Sequence, residues 1–301
     1  MIFVTKKQNP IFSFSILFLL FYMFSSPCSA MHSSTAHQQT YSIASPSSVD
    51  WKDKLNKFVD TLDYKDDIIG ILACGSYVTG HPSAHSDLDV HIILKDDVKY
   101  RERGNKFVDG LLIEYFSNSP TQIRQYFRDD YKNMRTNSWV QFITGDIILD
   151  KVGVVKQLKD EAQAFFDRGF SEMDTSIGLL KRYELWDMLD DLHDAFETSR
   201  VDFDFMYYTN LDKLIATYMK LVKMPYNKKT ILGNITSDIV RAKYLLSTLP
   251  HDFISESIQA CILAKSRDDK IESYQKLTDQ VMMLCGGFNI DGFKCKSSTD
   301  F

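Results

Sequence analysis

The sequence predicts an α+β fold: a small sheet domain followed by a helical bundle. Two observations carry this. Short apolar runs closed by glycine or polar turns are confined to residues 67–150, and they read as strands. From about residue 171 onward, apolar residues recur three and four apart over at least three turns in each of several segments, with few strand signals between them. With 301 residues, 44% hydrophobic and 25% charged, the chain has the balance of a globular protein with a proper core. It divides into a leading segment 1–30, a leader 31–49, a sheet domain 50–150 and a helical domain 151–296.

Lys6 and Lys7 precede the apolar run of residues 11–24, and small residues follow up to Ala30. A basic start, an apolar middle and a small-residue cut site form the layout of a secretory signal. The run is short for a membrane span. The expectation is a signal peptide or a membrane anchor; if Met31 is the true start, the protein is cytoplasmic. Residues 31–48 are Ser/Thr-rich without an apolar period and read as a flexible leader.

Trp51, Leu55, Phe58, Val59 and Leu62 then recur at helical spacing, which predicts a helix over 50–62. The runs 67–75, 88–94 and 110–117 predict three strands, and the charged stretch 95–109 a turn plus the start of the next strand. Residues 121–132 read as a helix, and 145–166 as a short strand, a turn and a helix. In the back half, 177–196, 203–222, 236–249 and 267–287 read as helices, the last stopped by Gly286 and Gly287.

The net charge of −5 gives no general electrostatic case for binding nucleic acid or an anionic membrane. Five cysteines without a CxxC pair make neither a zinc framework nor a disulfide scaffold, and Cys74 reads as a small buried residue.

The chemistry concentrates in residues 73–94. Asp87 and Asp89 lie two apart, so on a strand both side chains point to one face. Carboxylates so placed repel each other, and burying them unpaired costs on the order of several kcal/mol. Glu114 stands inside the third strand between apolar neighbours, an unusual place for a charge unless it faces a site. Upstream, Gly75 lets the backbone pass close to a ligand, the helix-compatible turn after it offers N–H groups to an anion, and Ser76 adds a hydroxyl. Three acids on neighbouring strands beside such a turn suit a divalent ion with hard oxygen ligands, Mg²⁺, which also binds substrate phosphates. One ion or two would relieve the repulsion; with two, both oxygens of an in-line displacement at phosphorus are steadied.

Glycine and serine, about ten residues, Asp87-x-Asp89 and a distal acid, in "GSYVTGHPSAHSDLDV" and beyond, resemble the nucleotidyltransferase superfamily that includes DNA polymerase beta. The motif is most similar to its small bacterial members, the aminoglycoside- and lincosamide-type nucleotidyltransferases and the minimal nucleotidyltransferase antitoxins. The resemblance covers residues 70–116 and extends to the helical half only in general architecture. It implies a mixed-sheet nucleotidyltransferase domain and transfer of a nucleoside monophosphate from a nucleoside triphosphate, ATP, to an acceptor hydroxyl with release of pyrophosphate. Asp87 and Asp89 are implied as metal ligands and Glu114 as the third acid, at the metal or as base. Gly75, Ser76 and Ser86 are implied as nucleotide-binding residues.

Some relatives carry a basic residue in the turn after glycine and serine; here the turn "YVTG" has none. Lys181, Arg182, Lys223, Lys228 and Lys229 are candidates to meet the triphosphate charge, although any one of them is more often an ordinary solvated lysine or arginine. The missing cation supports an alternative, a catalytically degenerate protein of the same fold acting as a binding or antitoxin-like partner. His81, His85 and His91 lack zinc-ligand spacing, and His91 is expected to hydrogen-bond in or beside the pocket. The aromatics Trp186, Phe203, Phe205, Tyr207 and Tyr208 fit a helical core better than a base-stacking box. The acidic stretch 187–197 reads as a solvated helix face that would also draw a cationic acceptor.

Overall fold

The computed structural model describes residues 50–296, all of them within one compact unit. The expected signal or anchor and the leader, with Cys28, lie outside the described residues. Among the described residues no helix is long and apolar enough to cross a membrane.

Five strands form one mixed sheet in the order β3-β4-β2-β1-β5: β1 (Ile68–Cys74), β2 (Leu88–Leu94), β3 (Glu102–Val108), β4 (Leu111–Asn118) and β5 (Asp146–Asp150). The pair β2 and β4 is parallel, and the other three pairings are antiparallel. The period of two along each strand sorts the side chains between two faces. Ile71, Ala73, Leu88, Val90 and Ile92 pack with Leu55 and Phe58 of α1 (Trp51–Asp60) on one face. Asp50 caps that helix, its carboxylate accepting from the Asp53 N–H at 3.2 Å. On the other face, Leu72, Cys74 and Ile93 pack against α2 (Pro120–Lys132), α3 (Asn137–Thr144) and α4 (Val154–Arg168) through Ile123, Phe127, Trp139, Phe142, Val155 and Leu158. Asp89 belongs to this second face, since its strand neighbours Leu88 and Val90 face α1.

Two elements of this half differ from the expectation. The charged stretch 95–109 contains a complete edge strand, β3, joined to β4 by a hairpin in which Asp109 and Gly110 take φ of +47° and +81°, the left-handed pair of a tight two-residue turn. Its polarity suits an edge, where charged side chains oppose pairing with another chain. Helix α3 was not expected at all. It is short, and the carboxylate of Asp130, one helix earlier, accepts from the Ser138 N–H at 2.7 Å and also takes the Ser138 hydroxyl. The core of this half runs on through Phe170, so packing changes over about twenty residues beyond the expected division at 150.

The back half is all helix: α5 (Leu179–Glu197), α6 (Phe203–Leu221), α7 (Ile231–Thr236), α8 (Asp238–Tyr244), α9 (Asp252–Leu263) and α10 (Arg267–Leu284). Leu192, Phe203, Tyr207, Leu214, Ile258 and Leu277 are among its fully buried residues, in one shared core. Phe203 and Tyr207 are thus core, whereas Phe205 and Tyr208 are exposed. The expected helix 236–249 is cut to seven residues because Leu245 turns left-handed at φ +51°. Gly286 and Gly287, at +89° and +76°, follow α10 where it stops, as predicted.

Candidate active site

β1 ends where β2 begins, with Cys74 and Asp89 paired in register. Asp89 is paired on its other side with Glu114 of β4, so the two carboxylates rise from directly opposed positions of a parallel pair. Asp87 lies just before β2. One carboxylate oxygen from each of Asp87, Asp89 and Glu114 falls within 4.8 Å of the other two, and all three residues are half-buried.

Gly75 continues from β1 at φ +85°, and any Cβ there would run into Oδ2 of Asp89. The glycine is therefore required twice, for its backbone angle and for the room it leaves a carboxylate. The segment after it makes no helix. It is a turn, closed by the Thr79 N–H on the Gly75 carbonyl at 3.1 Å and the His81 N–H on the Ser76 carbonyl at 2.9 Å.

Burial first, then the charges of Asp87 and Glu114, push the Asp89 carboxyl up to about 7; Lys243 and Arg103 pull the other way. Both cations touch the site. Arg103 of β3 grips one oxygen of Glu114, Oε1, with Nη2 at 2.5 Å and Nε at 3.2 Å. Lys243 of α8 donates from Nζ to the Ser76 hydroxyl at 3.1 Å, bringing a charge from the helical half to the Gly-Ser turn. None of the lysines and arginines expected in this role was Lys243. Lys181 pairs with Glu184 at 2.6 Å, Arg182 donates to the Gly287 carbonyl at 2.9 Å and Lys223 to the Ser171 carbonyl at 3.0 Å. Lys228 and Lys229 are exposed. The only sequence cue to Lys243 was that α8 is basic in its last turn, which many surface helices share.

Ser86 sits beside the acids, with its hydroxyl engaged in the local turn, accepting from the Ser83 N–H at 2.8 Å. His91, next along the same strand face, is buried between the rings of Phe116 and Phe142 at 5.4 and 4.9 Å, with Nε2 against Gln141 Oε1 at 3.2 Å. Burial lowers its pKa to about 4 against the opposing pull of Gln141, so the ring is neutral near pH 7. Cys74 is buried behind the acids, its thiol pushed well up, first by burial and then by Asp89 and Asp87, as befits a packing residue. The four cysteines among the described residues are free thiols. Among the described residues, the metal-capable cluster is the three acids, without His81, His85 or His91.

This donor set fits a hard divalent ion. Two oxygens on opposite sides of Mg²⁺ stand about 4.2 Å apart at its usual bond length, and the three oxygens here already lie within 4.8 Å of one another. An all-carboxylate set favours Mg²⁺, Mn²⁺ or Ca²⁺ over softer metals.

Residues 52–146 match the family model of the nucleotidyltransferase domain. No curated protein matches the chain. Among solved structures, a nucleotidyltransferase-like protein from Exiguobacterium sibiricum aligns with a TM-score of 0.41 at 12% identity, over 78% of this chain and 75% of that one. The matched span holds β1, β2, β4, the Gly-Ser turn and all three acids, and over residues 52–146 this chain carries a nucleotidyltransferase domain.

Proposed function

We propose that the protein is a magnesium-dependent nucleotidyltransferase that moves a nucleoside monophosphate from a nucleoside triphosphate, ATP in the first instance, to a hydroxyl-bearing acceptor. The observation that carries the reading is the convergence of Asp87, Asp89 and Glu114 within 4.8 Å, beside a Gly-Ser turn already touched by Lys243.

In the reaction, the acceptor oxygen bonds to the α-phosphorus, the bond from that phosphorus to the α–β bridging oxygen breaks, and pyrophosphate leaves. Asp87, Asp89 and Glu114 are the residues that would hold Mg²⁺, which supplies charge neutralisation and a fixed frame for the phosphates. Gly75 admits the triphosphate close to the backbone, and Ser76 and Lys243 face its oxygens with a hydroxyl and an ammonium. The acceptor proton passes to solvent, or to Glu114 if that acid serves as base instead of as a metal ligand. Lys243 supports this reading over that of a degenerate binding protein: its ammonium stands on Ser76 at a turn that carries no cation of its own.

The direct test is incubation of the purified protein with α-labelled triphosphates, Mg²⁺ and a panel of hydroxyl acceptors. Label transfer that requires Mg²⁺ and is lost in Asp89→Asn is expected. Absence of transfer together with absence of Mg²⁺-dependent nucleotide binding in calorimetry would overturn the reading.

A further inference from the structure

Glu114 serves two partners. Its carboxylate lies with those of Asp87 and Asp89, while the same side chain accepts from Nη2 and Nε of Arg103. Arg103 is on β3, where its register partner is Phe116, and its guanidinium lies over the Phe116 ring at 4.8 Å. That ring in turn stacks on the buried His91. The arginine is thus aimed from below by an aromatic floor and placed diagonally across from Glu114, two residues along β4. A guanidinium needs only one carboxylate to satisfy an ion pair, and this one is partly open to solvent at 39% for Arg103 and 18% for Glu114, where screening trims what it adds to stability. Its position beside two further carboxylates gives it another use.

The geometry points to Arg103 as an internal counter-ion that acts through the third acid: it occupies Glu114 before a metal arrives, and the metal must then partly displace it. This rests on the three acids being a metal site. With no ion bound, three carboxylates within 4.8 Å repel one another, and the guanidinium on Glu114 offsets part of that charge. On binding, the ion and Arg103 draw on the same carboxylate, so the arginine sets metal affinity below what the acids alone would reach, as suits an ion that has to be exchanged with substrate and product.

The test is a double-mutant cycle on the whole protein, with Mn²⁺ as the probe and the free ion read by electron paramagnetic resonance. Arg103→Gln should lower the Kd for Mn²⁺ about tenfold, the scale of one charge-assisted hydrogen bond. In a Glu114→Gln background the same substitution should shift the Kd less than about threefold, because only the longer-range charge of Arg103 on Asp89 is then left to remove. A thermal melt checks that each variant is folded. If Arg103→Gln does not fold, Arg103→Lys, which keeps the charge but gives up the two-nitrogen grip, is read in the same way with a shift of about threefold. An unchanged or weakened affinity in the single variant, or a shift of undiminished size beside Glu114→Gln, overturns the role given to Arg103 while leaving the metal site standing. Failure of the unsubstituted protein to bind Mn²⁺ overturns both.

Discussion

Asp89 is the residue on which the site's chemistry and its instability meet. Its carboxyl is raised from the usual 3.8 to about 7 by burial, then by Asp87 and Glu114. A folded-state value above the unfolded one means that the favourable contribution is complete below about pH 4 and is lost as pH rises through 7. In metal-free protein this group therefore lowers the melting temperature between pH 6 and pH 8, and Mg²⁺ should restore it at pH 8. Asp89→Asn removes the charge and keeps the shape. It should raise the metal-free melting temperature at pH 8 by about 2 °C, roughly 1 kcal/mol, while reducing transfer on the order of 10³-fold. A melt of both proteins at the two pH values, with and without Mg²⁺, checks this, and a variant no more stable than its parent counts against a strained carboxylate. Metal binding should weaken from pH 8 to pH 6, since Asp89 must give up its proton to serve as a ligand. At Gly75, alanine brings a Cβ against Asp89 Oδ2 at a backbone angle of +85°, so both the turn and the ligand must shift.

At the scale of elements, the contrast between two glycines separates folding from function. Gly110, at φ +81° in the β3–β4 hairpin, has open space where a Cβ would go. Gly110→Ala should cost about 1 kcal/mol from backbone conformation alone, read in urea melts, and leave metal affinity unchanged. A loss of metal binding there would show that the hairpin is coupled to the acids through β4 more strongly than its position indicates. The strands β1 and β2 were legible because each is a short, β-branched apolar run buried almost throughout, and β4 because its apolar residues fill a run of strand length between turn residues. The strand β3 was not, because an edge with one row of hydrogen bonds tolerates "ERGNKFV", a sequence with no apolar period; its one cue was the Asp-Gly pair at 109 and 110. Helix α3 escaped for a related reason. At eight residues it is too short to show a period, and it depends on the side chain of Asp130 in the preceding helix to cap it.

At the scale of the whole molecule, the site is completed across the two halves. Lys243 and Ser76 are 167 residues apart in the chain and 3.1 Å apart in space. If that lysine meets the triphosphate, Lys243→Gln should raise KM for the nucleotide about tenfold with little change in kcat. Hydrogen exchange gives an independent reading. Mg²⁺ and ATP together should protect both the turn at 75–80 and α8 in the unsubstituted protein, but only the turn in the variant; protection of α8 that survives the loss of the lysine would mean that the halves are coupled by other contacts.

The order of Gly75, Ser76, Asp87, Asp89 and Glu114 was fixed by local grammar: alternation along a strand puts two acids on one face, and a glycine where the strand stops marks a turn that needs its backbone freedom. These rules act over a few residues, so the sequence by itself determined the sheet's core strands and the placing of the acids on one face. The partners of those acids were decided only by the tertiary structure. Arg103 reaches Glu114 through the register of an edge hairpin, and Lys243 reaches Ser76 through the packing of a helical bundle whose cations all look alike in sequence. A charge takes its role from what stands within a few ångströms of it, and over 167 residues only the folded chain sets that distance.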